Sequence, residues 1–290
     1  MENKTNEEVK TGFLRAARIT RRYARNFYFS SLFLHEEKRK AAYAIYAICR
    51  ISDEATDKDA SLVELSTAKR NIDSVYENTE IRTNLLLAFQ QTINKYAIPR
   101  HCFEELIDGM YTDFRKNRYK DFSELKDYCY KVAGVVGLMM IRVFGYENYE
   151  TEKYAINLGI AMQLTNILRD IKEDYHRRGR IYLPWEEMVS FGVTENDIAN
   201  GLVNENFKSL IRFQIARARG FYRDAEPGFK LITDRRCRFV VYLMEEVYSK
   251  ILEQIERNNY DVFSRRAQLG PWENLKCTLK AYTRFKKSEG

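Results

Sequence analysis

The chain has 290 residues, 45% hydrophobic and 31% charged, which excludes a disordered or low-complexity protein. Thirteen glycines and four prolines are few for this length and favour long helices. No run of about 18 apolar residues appears, so a membrane-spanning helix is excluded.

The polar start MENKTNEEVK lacks the apolar core of a secretory signal. The five cysteines, Cys49, Cys102, Cys129, Cys237 and Cys277, form no CxxC and are expected to be reduced and buried. A cytoplasmic protein follows as the expectation. The net charge of +7 fits nucleic acid, anionic lipid or phosphorylated substrates, and equally fits basic residues spread over solvated helix faces.

Periodicity of 3.6 predicts helices over 6–26, 36–58, 61–78, 82–97, 100–118, 123–145, 149–178, 204–226, 230–258 and 270–286. Pro99 sits where a helix can begin. Ser123 is placed to cap the helix that follows it. His176–Pro184, reading HRRGRIYLP, should end a helix at Gly179 and form a basic loop. No linker, repeat or sustained strand alternation breaks the pattern, so a single all-α domain over 1–290 is expected.

In the second predicted helix Tyr46, Arg50, Asp53 and Asp57 fall at i, i+4, i+7 and i+11, on one stripe. In the seventh, Gln163, Asn166, Asp170 and Asp174 fall at i, i+3, i+7 and i+11. Apolar residues occupy the other phases: Ile45, Ile48 and Ile51, then Leu164, Ile167, Leu168 and Ile171. Carboxylates four apart repel, by a few tenths of a kcal/mol on an isolated helix. The pattern has a purpose if cations sit between the two stripes. Carboxylate and amide oxygens suit Mg²⁺, with Mn²⁺ as the alternative, and such ions bridge carboxylates to a substrate phosphate. The bland alternative is a pair of solvated charged faces. Arg50 and Arg169 either neutralise the aspartates or contact diphosphate oxygens. Arg177, Arg178 and Arg180 lie on the following segment, where a basic lid could close over phosphates.

Tyr128–Met140, YCYKVAGVVGLMM, breaks an apolar helix with Ala133, Gly134 and Gly137. Such residues mark close helix packing or a kinked wall beside a long apolar ligand. The last helix carries Leu275, Leu279 and Tyr282 on one face and Lys276, Lys280, Arg284 and Lys287 elsewhere. It either docks on the core or rests on anionic lipid as a peripheral contact. GxGxxG, GxxxxGK[ST], zinc-ligand spacing and a serine nucleophile elbow are absent from the sequence.

YAIYAICRISDEATD (43–57), YCYKVAGVVGLMM (128–140) and LGIAMQLTNILRDIKEDYHRRGRIYLP (158–184) resemble the squalene and phytoene synthases. LIDGMYTDFRKNRY (106–119) and NNYDVFSRRA (258–267) fit the same family, and the likeness spans about residues 24–270. The resemblance implies an isoprenoid synthase-type helical bundle around a central cavity. It implies head-to-head condensation of two prenyl diphosphates. By it, Asp53, Asp57, Asn166, Asp170 and Asp174 are expected metal ligands. Tyr46, Arg50, Gln163, Arg169, Tyr248 and Arg265 are expected contacts to diphosphate or intermediate, with Arg25 and Asn26 in YARNF beside them. Phe27, Ser31, Tyr43, Tyr128, Val132 and Gly137 are expected walls of the prenyl pocket. Ala24 and Asn26 stand where the family often has serines, and Glu54 where it usually has aspartate.

Within the family, VAGVVGLMM and YDVFSRRA stand closer to the phytoene branch, which implies no NADPH. Ser31 stands where C15-using relatives tend to carry Phe, and Tyr43 where they often carry Trp, which implies an open tunnel, C20 substrates, phytoene and carotenoid biosynthesis. The alternative within the family is dehydrosqualene, squalene or presqualene diphosphate from C15 substrates. A head-to-tail prenyltransferase or cyclase also pairs Asp-rich helices, but would not bring YxxxR and VAGVVG together. The non-enzyme alternative is a basic helical protein that binds membrane or nucleic acid; the enzyme reading expects no nucleic acid.

Overall fold

A computed structural model describes the backbone of residues 2–57, 62–79, 81 and 83–289, and side chains of residues 6–289 except 54–61, 80 and 82. Fourteen α-helices follow in order: α1 Glu2–Tyr23, α2 Arg25–Ser31, α3 Glu36–Asp57, α4 Leu62–Tyr76, α5 Asn84–Tyr96, α6 Arg100–Arg115, α7 Phe122–Cys129, α8 Val135–Phe144, α9 Glu150–Arg178, α10 Trp185–Ser190, α11 Glu195–Ala199, α12 Glu205–Ala225, α13 Arg235–Arg257 and α14 Pro271–Glu289. A π-helical turn, Tyr130–Gly134, joins α7 to α8, and a 3₁₀ turn, Glu226–Leu231, joins α12 to α13. Among the described residues there is no strand; two isolated bridges pair Arg118 with Ile181 and Tyr146 with Ile232.

Short polar side chains set the helix starts. Thr83, Asn204 and Asp234 cap α5, α12 and α13 by accepting backbone N–H bonds. Asp121, not Ser123, caps α7: its carboxylate accepts from Glu124 N at 3.0 Å, so the helix begins one residue before Ser123. Gly179, at φ 62°, ends α9 in the left-handed region, where a side chain would be strained.

With 29 residues, α9 is about 43 Å long and forms the axis of the bundle. It packs against α8, α12, α13 and the π turn. The approach to α8 is close. A Cβ on Gly137 would lie 2.4 Å from Ala155 O, and one on Gly159 would lie 2.4 Å from Ala133 O. The small residues therefore serve close packing, and the π turn lies beside them.

Three elements depart from expectation. The helix expected over 6–26 breaks at Ala24 (φ −130°, ψ 62°), which frees α2 to pack on α13. The helix expected over 123–145 contains the π turn. The segment 185–199, outside the predicted helices, holds α10 and α11, each too short to show periodicity. All five cysteines are free thiols, four buried and Cys49 half-buried.

Candidate active site

An apolar cavity of about 250 Å³ opens inside the bundle. From α9 it is lined by Thr151, Tyr154, Ala155, Leu158, Gly159, Met162, Gln163 and Asn166. Asn166 and Thr151 are fifteen residues apart, so the cavity follows the helix for about 22 Å. The π turn and α8 contribute Val132, Ala133, Val136, Gly137, Met140, Ile141 and Phe144. Ala24 and Phe27 come from the α1–α2 break, Tyr46 and Cys49 from α3, and Val241, Met244 and Tyr248 from α13. The end at Phe144, Thr151 and Ile232 is closed by two chain segments bonded together: Glu147 N donates to Leu231 O at 3.0 Å and Thr233 N to Gly145 O at 3.1 Å.

At the other end the two polar stripes run out of the cavity. On α3, Tyr46 lines it, and Arg50 and Asp53 follow, joined at 2.7 Å. The Arg50 guanidinium lies 4.7 Å from the Tyr23 ring centre. The backbone of Asp57 ends α3, while its side chain lies outside the described residues. On α9, Gln163 and Asn166 line the cavity, and Asp170 and Asp174 continue the stripe. Tyr248 stands between the helices, close enough to act on both Tyr46 and Arg169. Burial pushes both tyrosine hydroxyls up, so they stay protonated donors at any ordinary pH.

The two aspartates of α9 differ. Burial opposes ionisation of Asp170, but Arg169 (2.6 and 2.8 Å) and Arg266 (2.7 and 2.9 Å) each grip it through two hydrogen bonds and hold its carboxyl below the usual range. The Arg169 charge also suffers from burial, and Asp170 more than offsets this. Asp174 is held less tightly: Arg178 lies 3.5 Å away and Arg180 adds its charge from farther off. Burial, with Asp170 and Asp113 nearby, pushes it up to about 7. Between 3.8 and about 7 the folded protein holds a proton there that the unfolded chain has lost, so the metal-free fold loses stability as pH rises through that window.

The donor set fits a hard cation. It is all oxygen, and Asn166 Oδ1 is buried without a hydrogen-bond partner among the described residues. Among the described residues no three His, Cys, Asp or Glu side chains converge into one metal-holding group.

Several expected residues lie elsewhere. Arg265 is exposed, and Arg266 beside it makes the bonds to Asp170. Ser31, Tyr43 and Tyr128 do not line the cavity. Ser31 is fully buried and its hydroxyl donates back to Phe27 O at 2.6 Å. Tyr43 stacks on Tyr28, with ring centres 5.4 Å apart. Tyr128 donates to Asp113 at 3.0 Å, with the Tyr182 hydroxyl 3.3 Å from its own. Arg25 is exposed and Asn26 half-buried in the first turn of α2. Arg180, expected on a lid, is buried and faces Asp113 at 3.4 Å.

Asp113 was not expected. It is 8% exposed on α6 and takes hydrogen bonds from Tyr128 and Tyr182. Its signal was present: Cys102, Leu106 and Met110 form a buried stripe that Asp113 continues at i+11.

Long helices enclosing an apolar cavity, with two carboxylate stripes at its mouth, define an isoprenoid synthase-type fold. The family model described as squalene/phytoene synthase matches residues 20–273. The chain is 38% identical to the 15-cis-phytoene synthase of Synechococcus elongatus, covering 90% of this chain and 89% of that one. It is 39% identical to the phytoene synthase of Arthrospira platensis, covering 92% and 91%. A dehydrosqualene synthase crystallised with ligand superposes with a TM-score of 0.92 at 26% identity, over 98% of this chain and 99% of that one. The squalene synthase HpnC of Alicyclobacillus acidocaldarius gives 0.80 at 27%, over 88% and 96%. This chain belongs to the squalene/phytoene synthase family of prenyltransferases.

Proposed function

We propose that the protein joins two C20 prenyl diphosphates head to head to give phytoene, the first hydrocarbon of carotenoid biosynthesis. One observation carries the reading: both polar stripes lead directly out of the walls of one long apolar cavity. A prenyl tail fits the cavity and its diphosphate fits the mouth. The phytoene synthases at 38–39% identity favour the C20 substrate over C15.

Asp53, Asp57, Asn166, Asp170 and Asp174 would hold Mg²⁺, which when bound neutralises the diphosphate and stabilises its departure. Arg50 and Arg169 present guanidinium groups to the same leaving group. Tyr46 and Tyr248, both protonated, donate hydrogen bonds at the cavity mouth. The apolar walls exclude the water that would quench an allylic cation. The cation of the first substrate is attacked by the double bond of the second, with loss of a proton, to give a cyclopropylcarbinyl diphosphate. The second diphosphate then leaves, the skeleton rearranges, and a second proton is lost. Two diphosphates and one hydrocarbon result, without a reductant.

Incubation with labelled geranylgeranyl diphosphate and Mg²⁺, followed by mass spectrometry, tests this. Phytoene formed without NADPH is expected. Exclusive use of farnesyl diphosphate, or squalene formed only with NADPH, would replace the reading with the C15 branch.

The high Asp174 value gives a further expectation. Protons and Mg²⁺ compete for that carboxylate, so the Mg²⁺ concentration for half-maximal rate should rise as pH falls below about 7. A requirement that stays constant from about pH 8 to about pH 6 would exclude Asp174 as a ligand.

The closed end should set tail length. Thr151 lines it, is 1% exposed, and carries a hydroxyl without a partner among the described residues. Thr151→Phe places a ring in the deepest part of the cavity and should shift preference from C20 toward C15. An unchanged C20:C15 ratio of kcat/KM would show that tails do not reach Thr151. Ser31→Phe should instead overpack a filled site, at a cost of about 1–3 kcal/mol.

A further inference from the structure

The last helix carries a surface that the reaction does not use. α14 is held to the core by Cys277, Ala281 and Phe285, and by Arg284 bonded to Glu226, Glu245 and Glu246. The opposite stripe, Trp272, Leu275, Leu279 and Tyr282 at i, i+3, i+7 and i+10, is 75%, 47%, 60% and 51% exposed. These residues are not needed to fix the helix. The stripe runs into a groove whose other wall is Leu32, Phe33 and Phe239; the Phe33 and Phe239 rings meet edge to face at 5.3 Å.

Cations surround this apolar surface. Arg235 and Arg236 line the groove, and Lys276, Lys286 and Lys287 stand on α14. Of the acids on α14, Glu289 is shared between Arg235 at 2.6 Å and Lys286 at 3.8 Å, and Glu273 accepts from Gly270 N at 3.1 Å, so the cations outnumber the acids around the stripe. Among the described residues no helix is long and apolar enough to cross a membrane.

We propose that this face docks the protein on an anionic phospholipid bilayer, with α14 lying in the interface. Trp, Leu and Tyr on one stripe with flanking lysines is the chemistry that places a helix between headgroups and acyl chains. A second copy of the chain fits less well, because like faces would set lysine and arginine against each other. The groove also neighbours the cavity: Phe27 of α2 and Val241 and Met244 of α13 line the cavity, while Leu32 and Phe33, just after α2, and Phe239 of α13 line the groove. The docked enzyme would therefore hold its hydrocarbon cavity one helix layer from lipid. The docking claim goes beyond the proposed reaction and stands without it.

Co-sedimentation of the full chain with vesicles tests it, while turnover in detergent separately tests the reaction. Binding to phosphatidylcholine vesicles containing phosphatidylglycerol is expected, with much weaker binding to phosphatidylcholine alone. Lys286→Glu with Lys287→Glu should weaken binding by about twenty-fivefold or more, at roughly fivefold for each basic residue lost near an anionic surface. Trp272→Ser with Leu279→Ser should weaken it on both vesicle types. All four positions are exposed, and an unchanged helical circular dichroism spectrum confirms the fold. Failure of the unmodified protein to bind phosphatidylglycerol vesicles overturns the proposal, as does binding that neither double variant weakens. A concentration-dependent dimer that Trp272→Ser dissociates, without vesicle binding, assigns the face to a second copy instead.

Discussion

Asp170→Asn is expected to lower turnover by about 10²–10³-fold, the range seen when one preorganised electrostatic partner of a reacting charge is removed. The variant keeps the shape of the side chain and removes only the charge. Asp170 is the most strongly held carboxylate of its stripe, since Arg169 and Arg266 keep it ionised. In the proposed reaction the same oxygens would turn toward a cation as the diphosphate takes over the arginines. Asparagine offers one neutral oxygen, too weak a donor for that exchange. Asp53→Asn should lose turnover similarly, because the two stripes act across one mouth. Its stability effect should be the smaller, for Asp53 is 36% exposed against 17% for Asp170. Pyrophosphate release measures the first effect and urea unfolding the second. Near-normal release in either variant would mean that the stripes do not work as a pair.

The stripes were legible because helical spacing survives folding. Residues at i, i+4, i+7 and i+11 share a face wherever the helix is placed, so Tyr46, Arg50 and Asp53 could be grouped before their surroundings were known. The same holds for Gln163, Asn166, Asp170 and Asp174. Legibility failed where direction depends on tertiary contacts. Arg265 and Arg266 are adjacent in a segment without periodicity, and nothing local says which of them turns toward Asp170. Ser31 and Tyr43 were misplaced because the break at Ala24 reorients α2, and that break is stabilised by packing on α13 rather than by a proline or glycine. On α14 both Cys277–Ala281–Phe285 and Trp272–Leu275–Leu279–Tyr282 are helical stripes with apolar character. The one that docks is selected by Glu245 and Glu246 of α13, which draw Arg284 inward.

Asp113→Ala should destabilise the fold by about 3–5 kcal/mol, the range for removing one partner of a buried ion pair. Asp113 joins three parts of the chain. It sits on α6, Tyr128 of α7 donates to it, and so does Tyr182 of the segment after α9. The Arg180 guanidinium, 7% exposed, has Asp113 as its counter-charge and also donates to Asp113 O at 2.9 Å. Burial raises the Asp113 carboxyl, and Arg180 with the two tyrosines opposes that rise. Alanine removes the acceptor and leaves a buried cation with two buried hydroxyls short of a partner. Asp113→Asn keeps an acceptor for the tyrosines but not the charge, so its loss should fall between wild type and alanine. The double variant Asp113→Leu with Arg180→Met should recover much of the loss, because an apolar pair of similar volume can replace a buried ion pair. Urea midpoints for the set measure these differences. A loss below about 1 kcal/mol in the alanine variant would show that water replaces the carboxylate without penalty. The variant also reaches the active site. Asp113 is one of the charges that raise Asp174, while Arg180 lowers it. With Asp113 gone, Asp174 should titrate below about 7. The pH at which the Mg²⁺ requirement rises should then move down even as the fold weakens, a pairing that simple loss of stability would not produce.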